Sequence, residues 1–290
     1  MSSVLYDHPG PRARRRNAVL TVVFAVVLAA LLWVVYDRFD ERGQWAADKW
    51  EPLVDWRIWK QFLIPGLVGT VQAAAVAMVF ALAFGIVFAV GRLSERWWVS
   101  APAGAVVEFF RAVPLLLMIF FVFYGLPWLI QGPVSAFWAV VVGLTLYNGS
   151  VLAEAFRAGV LAVPSGQSEA AYALGMRKNQ VMQLILVPQA ARAMLPVIVS
   201  QLVVLLKDTA LGYIIAYPEL LQRINEVNAN FANVVPTALV GAAVFIGINA
   251  ALTVLAGWLD QRTSRRGLHA ATEAAEAATG PRGMGAAGLG

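Results

Sequence analysis

Cysteine is absent from this 290-residue chain, which excludes disulfides, thiolate metal sites and cysteine nucleophiles. Histidine occurs only at His8 and His269, both in the terminal stretches, so no metal cluster or histidine-based catalytic set can be assembled. A Gly-x-x-x-x-Gly-Lys-Ser/Thr phosphate loop is missing as well, and the chain does not read as an ATPase. Charge is scarce, at 13% of residues against 60% hydrophobic, and no internal repeat is visible. No cofactor is implied.

What the chain has instead is apolar runs of about 20 residues, long enough to cross a hydrocarbon core roughly 30 Å thick. The expected fold class is all-α, a polytopic membrane helix bundle with six predicted spans. The net charge of +5 does not suggest nucleic acid, because the Lys and Arg residues sit in tails and short loops, as they do in cytoplasmic segments of membrane proteins.

Met1 to Asn17 is a basic tail holding Arg12, Arg14, Arg15 and Arg16, which places the amino terminus in the cytoplasm. Ala18 to Tyr36 reads as a first, permanent span rather than a signal peptide, since no small-x-small cleavage site precedes Asp37. Asp37 to Lys60 mixes six acidic with five basic residues and carries Trp45, Trp50, Trp56 and Trp59, which fits the outer interface. Gly66 to Val90 is the second span, with Gly69, Ala73 and Ala77 spaced for close helix packing.

Val106 to Ile130 holds the third span. Glu108 and Arg111, three residues apart near its inner end, are expected to form a structural ion pair. Gly125, Pro127, Gly132 and Pro133 predict an outer turn. Val134 to Leu152 is the fourth span, and its Tyr147, Asn148 and Ser150 either line a pathway or hydrogen-bond to neighbouring helices.

A polar, turn-marked stretch then runs from Glu154 to Arg192. Pro164 and Ser165 predict a helix start, with a serine oxygen to cap it, and Glu169 sits near the positive end of the helix dipole. Ala170, Ala171 and Ala173 give that helix little bulk, and Gly175 is a good stop. A second short helix is expected from near Asn179 to the region of Pro188, so that two small helices lie outside the bilayer. Arg157, Arg177, Lys178 and Arg192 outnumber Glu154 and Glu169, which agrees with a cytoplasmic face.

Glu169-Ala170-Ala171, then Gly175, Ile185 and Pro188, resemble the EAA loop of ABC-importer permease subunits. Ala162-Val163-Pro164, Gly166-Gln167, Ala173-Leu174-Gly175-Met176, Pro188-Gln189-Ala190 and Lys207-Asp208-Thr209 are similar more narrowly to the polar amino-acid uptake family. The resemblance covers roughly Phe62 to Trp258. Val187 and Ala210 stand where the family often has leucine and serine, and Ala112 and Val113 replace the glycine and threonine of its Arg-Gly-Thr-Pro-Leu segment, here Arg111 to Leu115.

The resemblance implies a loop at 153–192 that docks a separate cytoplasmic ATPase, through Pro164, Glu169, Ala170, Ala171, Gly175 and Pro188. It also implies a pair of ATPase chains, a second permease chain of the same or a homologous kind, an extracytoplasmic solute-binding protein, and glutamate or a related polar amino acid as solute. The domain reading is a tail at 1–17, an added span and outer loop at 18–61, the permease core at 62–259 and a cytoplasmic disordered tail at 260–290.

Beyond Arg192 the chain re-enters the membrane, and thirteen residues of helix from Met194 carry Lys207 roughly 20 Å into it. Lys207, Asp208 and Thr209 line the translocation path, with the ammonium offered to a substrate carboxylate, or else Lys207 and Asp208 satisfy each other, or another span, and end the helix. Tyr217 to Val235 is expected as an outer or re-entrant segment and a contact for the binding protein. Pro236 to Leu259 is the sixth span, with Arg262, Arg265 and Arg266 returning the chain to the cytoplasm. An ion-driven carrier and a non-transporting membrane scaffold are the competing classes.

Overall fold

The structure, a computed structural model, describes residues 10–254 and residue 257. The residues before Gly10, the arginines at Arg262, Arg265 and Arg266, and the tail at 260–290 lie outside the described residues. Within them the regular structure is entirely helical, and five helices are long and apolar enough to span a membrane, or six if one bent pair counts as a span.

Helix α1, Pro11–Asp40, buries none of its residues and takes in the expected first span together with the four arginines before it. Its far end is tied down where Trp45 Nε1 donates to Tyr36 O at 3.2 Å and the two rings stack. A short helix α2, Ala47–Val54, follows and leads into α3, Trp56–Arg92.

The small stripe on α3 is longer than Gly69, Ala73 and Ala77: Ala73, Ala77, Ala81, Gly85 and Ala89 are all buried at four-residue intervals. Without bulk there, α3 and α6, Ala136–Leu161, approach closely over most of their length. A Cβ on Gly85 would meet Leu152 Cβ at 2.9 Å, and one on Gly143 would meet Ile119 Cγ1 at 2.7 Å. Val140, Val141, Leu144 and Leu152 of α6 fill the core that α3 leaves open.

The third span is not one helix. It comprises α4, Trp97–Ala112, and α5, Leu115–Ile130, which meet at 99°. Pro114 has no N–H to continue α4, and it forces Val113 into an extended conformation at ψ 129°. Gly125 and Pro127 also depart from the expected turn, since both lie inside α5, and the turn comes after them at Gln131, φ +54°.

Helix α7, Ser165–Ala173, is followed by α8, Lys178–Ile215, α9, Leu220–Phe231, and α10, Val234–Val254. The second short helix expected to finish near Pro188 instead continues into the membrane span as the first part of α8. A π-turn at Met182–Leu186, closed by Val187 N–H to Met182 O, lets it pass the proline. A proline ring in an α-helix collides with the carbonyl four residues earlier, and the wider π-turn gives that carbonyl room. The same device precedes Pro65, where Ile64 N–H reaches Trp59 O, and Pro127, where Leu126 N–H reaches Phe121 O.

Candidate functional site

Helix α7 and its flanking links form a polar, largely exposed segment between the spans α6 and α8. Its start is set by Pro164, φ −53° and ψ 133°, one residue earlier than expected, and Ser165 does not cap it. Instead Ser165 is the first helical residue, and its carbonyl accepts from Ser168 Oγ at 2.8 Å. Gly175 ends the segment as expected, at φ +78°, with Gly175 N–H on Tyr172 O at 2.9 Å and Met176 N–H on Ala171 O at 3.2 Å. These two bonds are a Schellman cap and demand the left-handed glycine.

Of the residues in α7, only Ala171 is buried. Glu169, Ala170 and Ala173 are exposed, and so are the apolar Tyr172 and Leu174, the latter by 83%. The small residues thus present backbone, flanked by two exposed apolar side chains and one carboxylate. Pro188 sits in α8 beside Gln189, whose Nε2 donates to Gln167 Oε1 at 3.4 Å and links the root of α8 back to α7.

The expected Glu108–Arg111 pair does not form. Glu108 lies 3.5 Å from Arg92 at the end of α3, and Arg92 Nη1 is 2.6 Å from Glu154 Oε2 on α6. Glu154 also holds Arg157 at 2.6 Å. Side chains three apart share a face but pair only if no other partner takes them, and here the guanidinium of Arg92, only 14% exposed, takes the carboxylates of Glu108 and Glu154 across three helices.

The pathway candidates separate. Asn148 is fully buried: its Nδ2 donates to Leu144 O at 3.1 Å, and its Oδ1 accepts from Gln201 Nε2 on α8. Thr209 is fully buried too, its hydroxyl donating to Leu206 O at 2.7 Å. Lys207 is exposed on a groove of about 550 Å³ between α8 and α10, shared with Val203, Ala210, Asn249 and Thr253. Asp208 is half-buried, and neither Lys207 nor Asp208 makes an ion pair among the described residues. The α-helical part of α8 ends at Asp208 and tightens to a 3₁₀ helix over Thr209–Ile215.

Two polar residues were not anticipated. Gln201, six residues before Lys207 in an apolar run, is the hydrogen-bond partner of Asn148, and its polarity was the available signal. Glu219 is wholly buried in the connection between α8 and α10, where it caps α9 by accepting Leu221 and Gln222 N–H at 2.8 and 2.7 Å. Burial pushes its carboxyl up to about 7, against the opposing effect of those two N–H groups. A glutamate between a proline and an apolar pair was its only mark in the sequence.

The profile of the family described as binding-protein-dependent transport system inner membrane component matches residues 81–265, more than half of the chain. The chain belongs to this family. The permease is 40% identical over 227 residues to the glutamate transport system permease protein GluD of Corynebacterium glutamicum, a match covering 76% of this chain and 81% of that one. It is 35% identical over 205 residues to "Probable glutamine ABC transporter permease protein GlnP" of Bacillus subtilis, covering 69% of this chain and 93% of that one. Its fold matches a chain in the crystal structure of an amino acid ABC transporter with histidines at a TM-score of 0.66 and 26% identity, over 69% of this chain and 93% of that one. The permease is therefore a multi-pass membrane subunit of an ABC importer, and it is a transport component rather than an enzyme.

Proposed function

We propose that this permease imports glutamate or a closely related polar amino acid, and that α7 is where a separate cytoplasmic ATPase docks. The observation that supports the docking is the exposure of Glu169, Ala170, Ala173, Tyr172 and Leu174 on a helix fixed at both ends by Pro164 and Gly175. Small residues let a second backbone come close, and exposed apolar side chains gain by being covered. The glutamate assignment is supported by the relative that shares 40% identity and carries glutamate in its name.

In this reading two ATPase chains close on ATP, pull the α7 helices of two permease chains, alike or homologous, and tip the spans from inward-open to outward-open. An extracytoplasmic binding protein then empties its ligand into the cavity. Lys207 and Asp208 face the solute path, the ammonium attracting the substrate carboxylate, because an unpaired charge at that depth is costly against lipid. Both termini lie in the cytoplasm. The segment at 18–61 is an addition to the core, as the start of the family match at residue 81 favours.

The test is co-purification of the ATPase with Glu169→Lys, which reverses the charge on α7 without touching the buried Ala171. Loss of the ATPase from a permease that still inserts and folds is expected. Full ATPase recruitment together with normal uptake would remove α7 from the docking role.

A further inference from the structure

The connection between α3 and α4 grips the coupling segment on both of its flanks. Arg92, the last residue of α3, holds Glu154 in the closing turns of α6 at 2.6 Å. Three residues later, Glu95 Oε1 lies 2.6 Å from Nζ of Lys178, the first residue of α8. Everything between these two grips is the end of α6, the link into α7, α7 itself and the turn at Gly175.

Packing at the same level is tight. A Cβ on Gly159 of α6 would meet Met194 Sδ of α8 at 2.6 Å, and one on Gly91 of α3 would meet Ala103 Cβ of α4 at 3.0 Å. The connection is braced within itself, since Arg96 N–H donates to Ser94 Oγ at 3.3 Å. Helix α7, by contrast, adds only Ala171 to the buried interior. A helix carried on two short links passes a pull onward only if its two flanks cannot swing independently.

We propose that Arg92 and Glu95 are positioning residues for energy coupling. They staple the α3–α4 connection to α6 and α8, so that displacement of α7 moves the packed core as one body instead of being lost in the links at 162–164 and 174–177. This rests on the reading of α7 as the ATPase dock. The two grips differ in kind. Arg92 is largely buried, whereas Glu95 and Lys178 are 78% and 38% exposed. An exposed pair adds little to folding stability, so its removal can be read as a mechanical effect rather than as unfolding.

The experiment uses the permease in proteoliposomes with its ATPase and binding protein, and reads labelled glutamate imported per ATP hydrolysed. Glu95→Lys and Lys178→Glu should each lower that ratio by about fivefold, the upper range for an exposed pair, with ATPase co-purification unchanged. The exchanged pair Glu95→Lys with Lys178→Glu should restore it. An unchanged ratio in both single variants, or no recovery in the exchanged pair, overturns the proposal.

A second variant does not depend on charge. Because this chain has no cysteine of its own, Glu95→Cys with Lys178→Cys gives it a single pair that a short bis-maleimide can bridge before the partner proteins are added. The bridged permease should keep the parent ratio and the unbridged one should fall below it. A bridged permease that no longer imports would mean that the pair must open during transport, which contradicts a staple. The docking assignment fails separately, by ATPase retention in Glu169→Lys, so the two readings can be told apart.

Discussion

Two glycines, one in α7 and one just after it, give a prediction whose sign depends on backbone geometry alone. Gly175 has φ +78°, Gly166 has an ordinary helical conformation in the first turn of α7, and a Cβ at either position would meet nothing within 4 Å. Gly175→Ala places an L side chain in the left-handed region, at a cost of about 1–2 kcal/mol. Gly166→Ala removes unfolded-state freedom and is expected to stabilise α7 by about 0.5 kcal/mol. At about 1.4 kcal/mol per tenfold, the first change should raise opening of the Schellman cap by about five- to thirtyfold. Hydrogen exchange at Met176, whose amide donates to Ala171 O, reads this directly. ATPase affinity should fall by no more than the same factor, because only the ordered fraction docks. Equal exchange in the two variants, or a larger loss in Gly166→Ala, would refute the assignment of the cap as the element that holds α7 in shape.

Two further outcomes are expected. Asn148→Leu breaks the link to Gln201 between α6 and α8 and should destabilise the bundle by about 0.6–1.7 kcal/mol, with most of that lost in a cycle with Gln201→Leu; independent effects of the two changes would contradict a direct bond. Glu219 has a folded pKa of about 7 against an ordinary 4.5, so its contribution to stability is fully present below about pH 4.5 and is lost as pH rises through about 7. Thermal unfolding of the purified permease between about pH 5 and about pH 8 should show that decline, and Glu219→Gln, which keeps an oxygen for Leu221 and Gln222, should flatten it. A decline of equal size in Glu219→Gln would place the pH dependence elsewhere.

The features legible in the sequence were those carried by local pattern. Apolar runs gave the spans, the four-residue spacing from Gly69 gave the packing stripe of α3, and Gly175 gave the end of α7. Prolines were legible as interruptions but not as to kind. Pro114 breaks its span by 99°, while Pro188 and Pro127 are passed by π-turns, and all three lie within apolar stretches. The choice depends on whether the backbone one turn earlier can widen, which is decided by packing. Partnerships between helices were the least visible. Nothing within reach of Glu108 along its own helix reveals that Arg92 takes it, or that Glu154 competes for the same guanidinium. Likewise Asn148 announced a need for a partner without naming Gln201.

The central claim is coupled import, and uptake of labelled glutamate, glutamine, arginine and histidine tests it most directly. The permease is reconstituted with its ATPase and binding protein in vesicles, with and without ATP on the side of the ATPase. Glutamate uptake that requires ATP, and that exceeds uptake of the other three, is the expected result. Uptake that ignores ATP and follows an ion gradient would contradict it, and would make Lys207 and Asp208 the charged pair of a carrier that works without an ATPase.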